Sequence, residues 1–176
     1  RINHPGHFVD LNQTYFELFA QPKGFVLDQA ALSDKYLDLQ KATHPDRVAS
    51  GSDSDKRKAA QMTARVNEAY ETLRNPLKLA IYLLEEEGVE IAHNPTLDPM
   101  FLMEQIELRE ELEEIGDAGE DGLPNLDKFR AKGKQVLNGL ETEFDAAYPD
   151  RLSDAEQTIY KMQFINKLLI EAKQLE

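Results

Sequence analysis

Residues 32–47, LSDKYLDLQKATHPDR, form a helical run that a proline brings to a fixed stop, and this stop constrains the fold more than any other feature. Leu32, Tyr36 and Leu39 recur at helical spacing while Asp34, Lys35, Asp38 and Lys41 fall elsewhere, which predicts one buried and one solvated face. Pro45 has no N–H and pushes His44 out of the α region, so the helix ends near Thr43. A second run over 56–75 carries Ala59, Met62, Val66, Ala69, Tyr70 and Leu73 on one face and closes at Asn75-Pro76. Two such helices joined by the polar segment 48–55 read as an antiparallel pair. His44-Pro45-Asp46 then sits at the exposed tip of a helical hairpin.

The rest of the chain is punctuated in the same way. Residues 12–19 predict a short helix with Tyr15, Phe16, Leu18 and Phe19 available for packing, broken at Gln21-Pro22-Lys23-Gly24. Asp28 is the N-cap of the next helix. Residues 77–87 place Leu77, Ala80, Ile81 and Leu84 inward, with Gly88 as a stop. After a connector over 89–97, Asp98-Pro99 opens a helix that runs to Ile115 and halts at Gly116. A loop of glycine and acid over 117–124 leads to a helix over 125–148, apolar at Leu126, Phe129, Leu137, Leu140 and Phe144 and weakened at Gly133 and Gly139. Ser153-Asp154-Ala155-Glu156 reads as a capping box for the last helix. No segment alternates as a strand does, so the expected fold class is all-α, a helical hairpin followed by a three-helix bundle. Residues 1–11 lack periodicity and read as a leader or expression remnant.

Of the 176 residues, about two fifths are apolar, enough to build a core in one domain or two small ones. No stretch reaches the roughly 18 to 20 apolar residues of a membrane span, so a soluble, cytoplasmic protein without a membrane partner is expected. Cysteine is absent, which removes disulfides and thiolate metal sites. The net charge of −13 is one-sided: residues 1–76 carry ten Lys and Arg against ten Asp and Glu, and residues 77–176 carry ten against twenty-three. An acidic half of that kind repels phosphates, so nucleic acid is not an expected partner.

Catalytic motifs are missing. There is no glycine-rich phosphate loop, no GxSxG elbow and no HExxH helix. His4, His7, His44 and His93 show no metal-ligand spacing, so neither a metal nor another cofactor is expected. His44 oriented by Asp46 is the one arrangement that would suit a general base, and bound metal or turnover by the isolated protein would reveal it. The helix from Asp98 gives a sharper signal. With Phe101 at zero and about 100° per residue, Leu108, Leu112 and Ile115 fall within about 40° of it and form a core stripe. Leu102, Ile106 and Met103 lie near roughly 100°, 140° and 200°, among Glu107 and Glu110, and do not fit that stripe. In the last helix Met162, Ile165, Leu169 and Ala172 point together, and Phe164 lies about 120° away. An apolar patch bordered by acids predicts a binding surface. Burying each such side chain is worth roughly 1.5 to 3 kcal/mol, against roughly 4 to 15 kcal/mol for association, so a transient complex is expected.

The segments TYFELFA, LSDKYLDLQKATHPDR and ARVNEAYETLRNP together resemble a J-domain. FLMEQIELREELEEI and the later YKMQFINKL are similar to the second half of the HscB family, the J-protein co-chaperones of iron–sulfur cluster assembly. The resemblance implies a J-domain over 12–76, a connecting helix and linker over 77–96, and a scaffold-binding three-helix domain over 97–176, roughly L-shaped. It further implies that His44, Pro45 and Asp46, helped by Lys35, Lys41 and Arg47, contact the ATPase of a DnaK-type chaperone, HscA. Leu102, Met103, Ile106, Glu107, Arg109, Glu110, Glu114 and Phe164 match the family surface for the scaffold protein IscU. Thr43 stands where many relatives have an aromatic residue, and Ile106 where leucine is common. By this resemblance the protein is an adaptor and not an enzyme. The alternative is a J-protein serving a general DnaK-type chaperone with a different client.

Overall fold

The computed structural model describes residues 10–176, so most of the leader assigned to 1–11 lies outside the described residues. Among the described residues there are seven α-helices and no strand: α1 Tyr15–Leu18, α2 Gln29–Thr43, α3 Asp53–Arg74, α4 Pro76–Glu86, α5 Pro99–Asp117, α6 Leu123–Ala147 and α7 Leu152–Lys173. Short 3-10 turns occupy Pro45–Val48 and Gly119–Gly122. The fold class is all-α. The chain divides into two compact units, one ending at Leu83 and the other running from Leu84 to Glu176, so the division falls inside α4.

In the first unit α2 and α3 pack along their lengths. Asp28 caps α2 by accepting from the Ala31 N–H at 3.0 Å. Ser52 and Asp55 close a reciprocal capping box that starts α3 three residues before the 56–75 expectation. Leu32 and Leu73 are fully enclosed, each worth about 1.5 to 3 kcal/mol of burial. Tyr36 is half-buried instead of core: its ring stacks on Tyr70 at 4.0 Å while its hydroxyl donates to Asn67 at 2.8 Å. The short α1 is held by aromatic contact. Tyr15 stacks on Tyr82 at 4.5 Å and its backbone N–H donates to the Tyr82 hydroxyl at 3.0 Å. Arg65 lies over the Tyr15 ring at 4.4 Å. Burial, and then the neighbouring Glu68 carboxylate, push the Tyr15 hydroxyl up to about 12.

The buried stripe of α4 is Leu79, Ala80, Leu83 and Leu84, with Leu77 and Ile81 only half-buried. Ala80 and Leu84 of the 77–87 expectation are in the core, and Leu79 and Leu83 take the places expected for Leu77 and Ile81, a facing set by packing and not by the helix start, where Pro76 enters the first turn and Asn75 accepts from the Lys78 N–H. Gly88 stops the helix at φ +82, a left-handed conformation that favours glycine.

In the second unit α6 and α7 pack closely along their lengths, and α5 touches each of them at fewer places. Leu112 and Ile115 of α5, Leu126 and Phe129 of α6, and Leu168 and Ala172 of α7 form the core at one end, with Leu108 and Phe164 packed against it and only half-buried. Gly133 allows the close approach of α6 to α7, since a Cβ there would stand 2.7 Å from a Leu169 methyl. Three local expectations are corrected. Gly116 does not halt α5, which continues to Asp117, and a 3-10 turn replaces the 117–124 loop. Ser153 does not cap α7: the helix begins at Leu152 with Arg151 as N-cap, because the Arg151 carbonyl already accepts from the buried Ala155 N–H at 3.0 Å. Leu168, not Leu169, completes the buried face of α7.

Candidate functional site

Two surfaces carry the residues singled out by sequence, one in each unit. In the first, α2 ends at Thr43, whose buried hydroxyl donates to the Leu39 carbonyl at 2.9 Å. The Thr43 carbonyl accepts from the Thr63 hydroxyl of α3 at 3.0 Å, so the end of α2 is clasped to its neighbour. His44 then leaves the helical region at φ −57, ψ 135, as a residue before proline must. Its Nδ1 accepts from the Asp46 N–H at 3.2 Å and caps the 3-10 turn. The Asp46 carboxylate lies 3.4 Å from the same nitrogen and has 89% of its side chain in solvent, against 59% for His44. The tip is therefore fixed in backbone and open in side chain. Arg47 and Lys41 are exposed and Lys35 is half-buried. A shallow hollow of about 190 Å³ lies beneath the tip, lined by Thr43, His44, Arg47, Lys58 and Met62 among others.

In the second unit, the α5 residues outside the core stripe are in solvent: Leu102, Met103 and Ile106 are 44%, 63% and 58% exposed. Glu107, Glu110 and Glu114 are exposed beside them. Two other members of the set behave differently. Arg109 is half-buried and already engaged, donating to Glu171 of α7 at 2.6 Å, with its guanidinium 5.9 Å from the Phe164 ring. Phe164 does not stand free of the core as its position on the helix suggested. It is half-buried and meets Phe101 edge-on at 5.9 Å, which turns it toward α5. The apolar surface also extends to Met100, 71% exposed, which sequence reasoning missed because Asp98-Pro99 marked that turn only as a helix start. Among the described residues no three His, Asp or Glu side chains converge as metal ligands, and no helix is long and apolar enough to cross a membrane.

A co-chaperone protein HscB homolog from Vibrio vulnificus is 44% identical over 168 residues, covering 92% of this chain and 96% of its own length. The chain belongs to the HscB family of co-chaperones. The HscB fold is also visible by direct superposition. Chaperone HscB from Vibrio cholerae matches with a TM-score of 0.83 at 39% identity, over 93% of this chain and 97% of the other. Human co-chaperone protein HscB matches with a TM-score of 0.86 at 27% identity, over 94% and 83% respectively. Residues 97–173 fit the family profile described as the HSCB C-terminal oligomerisation domain, which takes in all of α5, α6 and α7. The α5 surface thus lies within the stretch that this profile matches, and the hairpin tip outside it.

Proposed function

We propose that this chain binds an iron–sulfur scaffold protein of the IscU type and delivers it to a specialised DnaK-type chaperone of the HscA type, whose ATPase it stimulates. In this reading residues 12–76 act as the J-domain, 77–96 connect, and 97–176 hold the scaffold, in the cytoplasm. The observation that carries it is one chain with two separately built open surfaces: a fixed His44-Pro45-Asp46 turn and an acid-bordered apolar face on α5. At the tip, the turn leaves the Asp46 carboxylate exposed, where it can meet a cationic side chain, and Lys35, Lys41 and Arg47 supply positive charge for an acidic chaperone face. On α5, Leu102, Met103 and Ile106 supply contact area, Glu107, Glu110 and Glu114 select a basic partner, and Arg109 and Phe164 set the edge of the surface. No step makes or breaks a covalent bond within this protein. Steady-state ATPase of the cognate chaperone tests the reading: this chain alone raises the rate, and scaffold added with it raises the rate further. Equal rates with and without scaffold would show that the client is something else.

A further inference from the structure

On the far side of α5 a groove of about 580 Å³ opens toward α6, and of the residues that line it only Glu107 carries a role proposed above. Glu104 and Glu111 mark its α5 edge, about 160° round the helix from Leu102 and Ile106 or nearly so at about 100° per residue. Its α6 wall is Val136, Gly139 and Leu140, running between Lys132 and Glu143. That wall is about 16 Å long at 1.5 Å per residue, the length of three helical turns.

Two independent observations bear on what this groove suits. The first is Gly139. A glycine in a helix interior lowers the stability of the helix, so its presence needs a packing reason. Gly133 has one in the Leu169 side chain, but a Cβ on Gly139 would meet nothing within 4 Å. Among the described residues nothing comes within 4 Å of that Cβ position, and the bare backbone there suits the close approach of a chain from outside. The second is charge. Lys132 is paired with Glu111 at 3.1 Å and Lys161 is held 5.4 Å over the Phe101 ring. Among the described residues no ion pair engages Glu104, Glu107 or Glu143, so the rim keeps a net negative field over an apolar floor. Val136 is 40% exposed on that floor.

We infer that the α5–α6 groove is a second docking surface, which takes a basic amphipathic helix of a partner protein. The apolar face of that helix covers Val136, Gly139 and Leu140, and its lysines or arginines reach Glu104 and Glu143 on the two sides. A second copy of this chain suits the groove poorly, because the half of the chain that carries the groove also carries the whole acidic excess.

The test is a titration of the full chain, followed by fluorescence anisotropy, into three synthetic helices of about four turns each. One has leucines on one face flanked by lysines, one is the same composition scrambled, and one is flanked by glutamates. Saturable binding of the first alone is expected. Gly139→Leu fills the groove and removes a helix-weakening residue, so affinity falls by roughly tenfold or more while Tm does not fall. Glu104→Lys with Glu143→Lys transfers the preference to the glutamate-flanked helix. Equal affinities for the parent and Gly139→Leu would overturn the inference, as would loss of binding on Leu102→Ala alone, which would move the helix to the other face of α5. Sedimentation showing a dimer that Gly139→Leu disperses would overturn it too, assigning the groove to self-association.

Discussion

Asp46 is almost wholly solvated, and what the fold uses is its backbone N–H, which the His44 ring accepts at 3.2 Å. Asp46→Asn keeps that N–H and the side-chain volume and removes only the charge. Stability should therefore change by no more than about 0.5 kcal/mol, as for other exposed positions. Stimulation of the chaperone ATPase should be lost, while scaffold affinity in a titration stays at the parent value. Loss of both would mean that the two surfaces are not separate functions. Glu141 gives a prediction of another kind. Burial raises its carboxyl above the ordinary carboxylate value, so the folded chain holds that proton more tightly than the unfolded chain. The ionised form then works against folding once pH rises above the ordinary carboxylate value of the unfolded chain. Glu141→Gln should raise Tm at neutral pH, and the gain should close as pH falls through the carboxylate range. A gain that persists in acid would trace to packing.

Between α5 and α6 the chain turns within the tight segment Gly119–Gly122, and a Cβ on Gly122 would run into the Ile115 carbonyl oxygen. The obstacle is backbone, which cannot swing aside. Gly122→Ala should cost about 1 to 3 kcal/mol, read as a lower Tm, whereas Gly139→Ala, with open space around it, should be neutral or stabilising by up to about 1 kcal/mol. Helix existence was legible because Pro45, Pro76, Gly88 and Pro99 act locally, and local signals survive in the sequence. Helix facing was less so. The wheel on α5 separated Phe101, Leu112 and Ile115 from Leu102, Met103 and Ile106, and their burial divides the same way. It misjudged Phe164, whose orientation depends on the edge of Phe101 on another helix. The Ser153 cap failed because Arg151, two residues earlier, already holds the N-cap position. The stack of Tyr15 on Tyr82 joins residues far apart in sequence, and no period reports such a contact. The groove beside Gly139 was visible only as a weak point in a helix.

At the scale of the molecule, charge is divided between the halves, the hairpin half being neutral and the bundle half carrying the acidic excess, and the function proposed above divides recognition in the same way. Scaffold binding should then depend on the bundle alone. Leu102→Ala combined with Phe164→Ala should weaken scaffold binding by about tenfold or more, measured by titration, with ATPase stimulation in the absence of scaffold unchanged. Adding Asp46→Asn to that pair should simply superimpose the two defects, because distant sites without shared partners act additively. Finally, the tight pairing of α6 with α7 and the sparser hold on α5 imply a hierarchy of opening. Backbone amides in the first half of α5, around Leu102 and Ile106, should exchange with deuterium well before those near Phe144 or Ile159. The helix offered to the client would be the part of the bundle that breathes most readily, and protection arriving there on scaffold addition would mark the moment of capture.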